Sequence, residues 1–442
     1  MRVLILFLIL LYITPLRGQG VDSYSLKEAI DYALIHQADI LNAVADEERA
    51  VAQKNEVRGI GLPQINASFD FRDFVELPTS LIPAEFFGGT PGEFMAVQFG
   101  TKYSATASLE ASQLLFSGDY VVALQSSGTF IELSKKMTQK TRVDVAVAVA
   151  KSYYSILVNE ERLKLVSDNL IQLEKLKNET KAGFDAGFIE KIDLDRLTVS
   201  FNNLEAELQN LKKVLVLGYA MLKFQMGMDL SGQVILRDTL DENMVRQVDV
   251  SADGFEYEDR AEVQLLRTQL ELSQQNLKRH KMGYAPNLLA YGSFSSQAQR
   301  NEFNFFSNER WYPIGIVGLT MKVPLFDGLQ RNYRIQQSKF EIMKLENSMV
   351  NINRGIDLEL ESAKVGLQNS LVVLDNRKAN IELARSVFDT AGKKFSAGTG
   401  SSMEVIGAET ALMEAQANYY NALYAAMIAK IDFEKAKGTI LE

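Results

Sequence analysis

Cysteine is absent from the 442 residues, which excludes disulfides, thiolate metal sites, cysteine nucleophiles and lipid attachment through cysteine. Histidine is almost absent. His36 and His280 are the two present, so imidazole catalysis or a histidine metal site has almost no material. Both lie in helical stretches among polar neighbours, where solvated or packing roles are expected. Positive charge is also short: 47 Lys and Arg against 56 Asp and Glu leave a net charge of −9. A general nucleic-acid binder needs a basic surface, so that class is disfavoured. Long apolar runs are missing as well. The longest internal run, residues 214–222, is fenced by Lys213 and Lys223, whereas a spanning helix needs about 20 apolar residues. No catalytic residue, resident metal or cofactor is expected.

Met1-Arg2 precedes an apolar run over residues 3–13, then Thr14-Pro15 and the small-residue stretch Gly18-Gln19-Gly20. A basic start, a short apolar core and small residues at −3 and −1 predict a secretory signal over 1–20, cleaved near Gly20. The mature chain is then either soluble or enters a membrane as β-strands.

Proline is confined. The eight prolines leave residues 92–285 and everything after 324 free of it, so two long stretches are permitted to be helical. Leu163, Val166, Leu170 and Leu173 recur at three and four residues, a stripe for packing helix against helix. From 119 to 181 only Gly128 interrupts, which allows a helix of about 95 Å at 1.5 Å per residue. Val143, Val145, Val147 and Val149 alternate as a strand would, but their surroundings are helical and the stretch is read as helix.

Self-comparison gives three ordered matches. Gly61-Leu62-Pro63-Gln64-Ile65 resembles Gly283-Tyr284-Ala285-Pro286-Asn287-Leu288. Leu109 through Phe116-Ser117-Gly118 resembles Leu319 through Phe326-Asp327-Gly328. Phe184-Asp185-Ala186-Gly187 resembles Phe395-Ser396-Ala397-Gly398. Each half therefore reads helix, strand, loop, strand, very long helix, glycine turn, helix. The first repeat is set at 21–230, an equatorial linker at 231–256 and the second repeat at 257–442.

Ile65, Ala67, Phe69 and Phe71 alternate with Asn66, Ser68, Asp70 and Arg72. Tyr103, Ala105, Ala107, Leu109 and Ala111 alternate with Ser104, Thr106, Ser108, Glu110 and Ser112. That period suits a membrane barrel strand, apolar toward lipid and polar toward a wet lumen, and equally a soluble sandwich strand. In the second half Leu288, Ala290 and Phe294 face one way and Leu289 and Tyr291 the other, while Val317, Leu319, Met321 and Val323 alternate cleanly. Phe74, Phe99, Trp311 and Tyr312 stand at strand ends as candidate girdle aromatics. Residues 75–100 and 297–312 read as loops. Four strands cannot close a membrane barrel, and lipid tolerates no open edge. A spanning form must oligomerise: two, three or four copies would give about eight, twelve or sixteen strands.

The leading Ser25-Leu26-Lys27-Glu28-Ala29-Ile30 helix, Gly-Leu-Pro before a strand, Leu325-Phe326-Asp327-Gly328 after another, and Phe395-Ser396-Ala397-Gly398 ahead of Glu404 and Val405 form an ordered set. Together they resemble the TolC-like outer membrane efflux proteins, over essentially the whole mature chain. The resemblance implies a mixed α+β homotrimer: a twelve-stranded outer-membrane β-barrel continued by a twelve-helix α-barrel into the periplasm, with two structural repeats per protomer. It implies a passive exit duct of a Gram-negative export system, not an enzyme, with a periplasmic adaptor (membrane fusion protein), an inner-membrane transporter and outer-membrane lipid as partners. A drug efflux system, a type I protein secretion system or a metal-ion efflux system would all use such a duct. A non-conducting periplasmic helical scaffold is the rival of another class.

By the same resemblance, Phe184, Ala186, Gly187 and Phe188, with Phe395, Ala397, Gly398 and Thr399, form the tip turns where the adaptor docks. Asp193 and Glu404 fall at acidic positions lining the pore constriction. The family's latch arginine is replaced by Gly400 and a second acid by Gly407, which removes charges a paired-charge latch would use. Each acid also has a plainer reading. Ser401-Ser402-Met403-Glu404 is a capping box, and Asp193 and Asp195 sit early in a helix, where the macrodipole favours an anion. Tyr153-Tyr154 and Tyr419-Tyr420 read as helix packing. The signal assignment has a direct check: the intact mass of the mature protein should correspond to a chain starting near Val21.

Overall fold

The computed structural model describes residues 22–248 and 254–441; the expected signal segment lies outside them. The first half contains β1 (Asp22–Tyr24), α1 (Leu26–His36), α2 (Ala38–Ile60), β2 (Gln64–Asp73), β3 (Thr79–Pro83), β4 (Phe94–Gln98), β5 (Tyr103–Phe116), α3 (Gly118–Asp185) and α4 (Lys191–Met226). Then follow β6 (Val234–Leu236), α5 (Asn243–Arg246), α6 (Ala261–Met282), β7 (Asn287–Arg300), β8 (Tyr312–Lys322), α7 (Gln330–Ser396) and α8 (Ser402–Lys437). Proline-free sequence runs as helix, with α3 spanning 68 residues and α7 spanning 67. The alternating valines lie inside α3, where Val145 and Val149 are buried. Their four-residue spacing places them on one helix face, so packing outweighs the weak helix propensity of a β-branched side chain.

Two compact units are formed, each drawing on both halves of the sequence. One comprises Asp46–Lys135 and Leu266–Ser348. Its main sheet has the order β2-β5-β7-β8, antiparallel throughout. The register sets Ala67 beside Leu109, Leu109 beside Phe294, and Phe294 beside Gly315. Directly paired residues share a face, so one face carries Ile65, Phe69, Leu109, Ala290, Phe294, Val317, Leu319 and Met321. The other carries Asn66, Ser68, Asp70, Thr106, Ser108, Glu110, Ser293 and Ser295. Leu289, Tyr291, Ile314 and Ile316 interrupt that polar face. Strand β2 is exposed along its whole length, and β8 nearly so. Both are edge strands, whose outer edges have no strand partner among the described residues.

Residues 75–100, read from sequence as a loop, contain the β3–β4 hairpin. Leu81 and Ile82 oppose Ala96 and Met95, and short apolar segments of this kind pair once a turn returns the chain. Phe71, Tyr103, Phe303 and Phe305 form a cluster of ring contacts at 5.5–6.2 Å. Trp311 meets Phe305 at 6.3 Å. Arg300 is buried against Glu309, and its guanidinium stands 5.5 Å from the Phe305 ring.

The other unit comprises residues through Ala45, Lys136–Leu265 and the chain from Met349. Its core joins Tyr153, Ile156, Leu222, Met226, Leu367, Leu374, Met427 and Phe433. The segment between the halves straps these helices. It contributes β6, which pairs in parallel with β1, an association the sequence reading did not anticipate. Asp238 Oδ2 accepts from the Leu26 N–H at 2.8 Å and the Tyr153 hydroxyl at 3.0 Å. Glu242 accepts from the Tyr419 hydroxyl and from Lys378 at 3.1 Å. Burial pushes the Glu242 carboxyl up, but its bonds from Tyr419, Lys378 and Arg246 outweigh this and hold it below the usual range. Arg246 also binds Asp375 of α7. The tyrosine pairs thus pack among the helices, as read from sequence, with their rings edge to face, and two of their hydroxyls anchor the strap. Buried Arg260 donates to Glu359 at 2.8 Å and to the Ala436 carbonyl at 2.9 Å, tying the start of α6 to α7 and α8. His36 stacks on Tyr32 at 4.0 Å, a packing role.

Gly227 ends α4 at φ +73°, where an added Cβ would lie 2.6 Å from the His36 carbonyl oxygen. Gly398 has a similar φ of +74° and open space around it. Gly398→Ala should cost about 1 kcal/mol of left-handed strain. Gly227→Ala adds a backbone clash and should cost roughly 2–4 kcal/mol. Thermal unfolding of the two variants checks this order.

Candidate functional site: the glycine turns and the helix starts after them

Both long helices end in the same backbone device. After α3, the Gly187 N–H donates to the Phe184 carbonyl at 2.9 Å and the Phe188 N–H to the Gly183 carbonyl at 2.9 Å. After α7, the Gly398 N–H donates to Phe395 at 2.9 Å and the Thr399 N–H to Lys394 at 3.0 Å. This is the Schellman arrangement, which satisfies the last carbonyls and requires a left-handed residue, supplied by Gly187 at φ +80° and Gly398. Ala186, Ala397 and Thr399 are exposed, and Phe188 is 87% exposed. Phe184 and Phe395 are half-buried, Phe395 against the small cluster of Ala391, Val405 and Ala408.

The two acids have different partners. Asp193, in the first turn of α4, accepts a hydrogen bond from the Ser402 hydroxyl, and Arg196 stands 3.7 Å from it. Ser402 is itself buried. Asp193 is therefore a tie between the starts of α4 and α8, in addition to any dipole effect. Glu404 is exposed and lines a cleft of about 470 Å³ with Thr390 and Lys394 of α7 and Met403 and Gly407 of α8. The Ser401 hydroxyl accepts from the Glu404 N–H at 3.3 Å. The expected capping box is thus seen in its forward half. At Gly407, where the resemblance would have placed an acid, an added Cβ meets nothing within 4 Å, so the vacancy of charge there is one of sequence and not of space.

Ser402 and Arg196 were missed by the sequence reading. A usable signal existed: Ser402, Glu409 and Gln416 are spaced by seven on an otherwise apolar helix seam, and all three are buried.

Comparison with known proteins fixes the family. A family model described as outer membrane efflux protein matches residues 29–227 and 257–439. The chain belongs to the outer membrane efflux protein family. Among curated relatives of this efflux protein, the outer membrane protein TolC of Vibrio cholerae is 20% identical over 339 residues, 76% of this chain and 77% of that one. TolC of Escherichia coli is 19% identical, covering 95% of this chain and 83% of its own. Among solved structures, the outer membrane protein VceC of Vibrio cholerae has a TM-score of 0.71 at 15% identity, covering 93% of this chain and 96% of that one. CusC has a TM-score of 0.75 at 14% identity, covering 94% and 92%. The fold is shared at identities too low for side-chain roles to be carried across.

The cap at α8 makes a local prediction. Ser401→Ala should cost about 1 kcal/mol and raise amide exchange at residues 402–405 while leaving exchange in α4 unchanged.

Proposed function

We propose that the protein is a homotrimeric exit duct of the outer membrane. In this reading three four-stranded sheets close into a twelve-stranded barrel, and the long helices continue as a twelve-helix tunnel into the periplasm. The observation that carries it is the β2-β5-β7-β8 sheet, with one apolar and one mostly polar face, exposed outer strands and both edges open. Joining edge β2 of one copy to edge β8 of the next satisfies the backbone, puts the apolar face in lipid and the polar face around water. The helices support the same assembly. Leu358, Val365 and Val372 repeat at sevens on α7 and are exposed, as are Val214, Leu217, Met221 and Phe224 at three and four on α4. Such stripes are seams for another copy's helices. No helix among the described residues is long and apolar enough to cross a membrane, so strands carry the membrane contact in this assembly.

Each protomer is read as two structural repeats, 21–230 and 257–442, the first carrying the Gly187 turn and the second the Gly398 turn. The adaptor docks on these turns, whose exposed Phe188 and side-chain-free glycines let a partner approach the backbone. Transport is passive and involves no catalytic step; an inner-membrane transporter supplies the cargo and the energy. Asp193 and Glu404, repeated three times around the tunnel end, give the constriction cation preference. A helical scaffold has no use for a two-faced sheet with free edges, which disfavours that rival.

The test is native mass and conductance of the purified oligomer. Three copies per particle and small cation-selective openings in a planar bilayer are expected. Glu404→Gln with Asp193→Asn should reduce the cation preference; unchanged selectivity would remove both acids from the pore lining. Stable insertion without conductance, even with the adaptor present, would sink the duct reading.

A further inference from the structure

The seam of α8 that begins at Ser402 is built differently from the other helix seams. Its inward positions are Ser402, Val405, Glu409, Leu412 and Gln416, all buried. Polar side chains thus occur at every seventh residue along this seam, between apolar Val405 and Leu412. The upper and lower members are partnered: Ser402 donates to Asp193 of α4, and Gln416 Oε1 accepts from Asn169 of α3 at 2.7 Å. The middle member is not. Glu409 is 6% exposed, and neither of its carboxyl oxygens has a hydrogen-bond partner. Gln416 Nε2, one heptad on, is likewise unpaired.

The elements around this stretch are α3, α4 and α7. Ile406 and Met413 pack with Leu173, Leu197 and Leu204, and Val405 and Ala408 pack with Leu176, Phe388 and Ala391. The charges these helices bring are engaged elsewhere. Lys177 of α3 lies 3.5 Å over the Phe201 ring. Arg196 of α4 faces Asp193. Lys394 of α7 lines the outer cleft with Glu404, and Arg385 and Asp389 of α7 are exposed. None of these cations forms an ion pair with Glu409 among the described residues. An ionised carboxylate in that position is unpaired in a poorly polar surrounding, whereas the neutral acid is far less costly to bury.

We propose that Glu409 is a proton-binding site built into the helix seam below the tip, and that proton uptake and release there sets how firmly α8 packs on its neighbours. Burial alone pushes its carboxyl up, to about 7 from an ordinary 4.5. The fold therefore holds a proton that the unfolded chain releases, and the stabilisation is complete below about pH 4.5 and lost as pH rises to about 7. At neutral pH the seam is poised: mild acid tightens α8, and alkali charges Glu409 and loosens it. Resting on the duct reading above, the consequence is a tunnel end that is more firmly closed in mild acid.

The test compares the mature wild-type oligomer with Glu409→Gln, a mimic of the neutral acid, and Glu409→Leu, in case the amide packs poorly. Melting temperatures are measured from pH 4.5 to 8.5. The variant's advantage over wild type should grow between about pH 4.5 and 7 and stay level above it. Amide exchange in residues 402–416, corrected for intrinsic rates, should rise with pH in the wild type and not in the variant. A melting difference independent of pH for both variants would overturn the proposal, whether or not the protein conducts. Bilayer recording then tests the consequence: open probability should rise with pH in the wild type and remain at its low-pH value in Glu409→Gln. An oligomer that never conducts counts against the duct reading, while the melting series still decides the proton site.

Discussion

A β-edge in hydrocarbon is the constraint from which the rest follows. Each unpaired amide or carbonyl on such an edge loses water and gains nothing in return, so a sheet can enter lipid only when its edges are closed. Strands β2 and β8 present two such edges, and the register between them places apolar and polar residues on opposite faces over four strands. A monomer can satisfy neither condition. Folding of this sheet and association of copies are then one process in the trimeric reading, and the strands have little reason to persist alone.

Helix packing obeys a different economy. Residues 92–285 and those beyond 324 contain no proline, which is a permission for helix and not a cause. The cause is the apolar stripe that each long helix buries, seen in Leu173, Leu197, Leu204 and Leu208. The strap between the halves adds polar ties of the kind that set register: Asp238 on Tyr153, Glu242 on Tyr419 and Lys378, Arg246 on Asp375. Stripes tolerate sliding; bonded carboxylates do not. Glu409 stands apart as a buried carboxyl to which no tie has been made.

The elements with strong periodicity were legible. Proline placement and three- and four-residue spacing located α3, α4, α7 and α8, and period-two alternation located β2, β5 and β8. The β3–β4 hairpin was hidden because five-residue strands set among prolines and glycines carry too little pattern to separate from loop. The three-residue pair β1–β6 was hidden because its partners are about two hundred residues apart in sequence, where local signals say nothing. At the tip, the glycines could be read because the left-handed conformation nearly demands that residue. The Asp193–Ser402 bond could not, since it depends on how α4 and α8 align. Where the two helices meet is a packing outcome that neither segment encodes alone.

The Gly187 turn closes entirely through main-chain bonds and one glycine, while at the Gly398 turn the Thr399 hydroxyl adds a bond to the Lys394 carbonyl at 3.2 Å. Nothing in the Gly187 turn depends on the side chain that follows the glycine, so Phe188 is uncoupled from the stability of the helices it joins, whereas the Thr399 hydroxyl contributes to its own turn. In the docking reading, the partner recognised at the tip is therefore set by an exposed side chain such as Phe188, which can be exchanged without altering the helical body below.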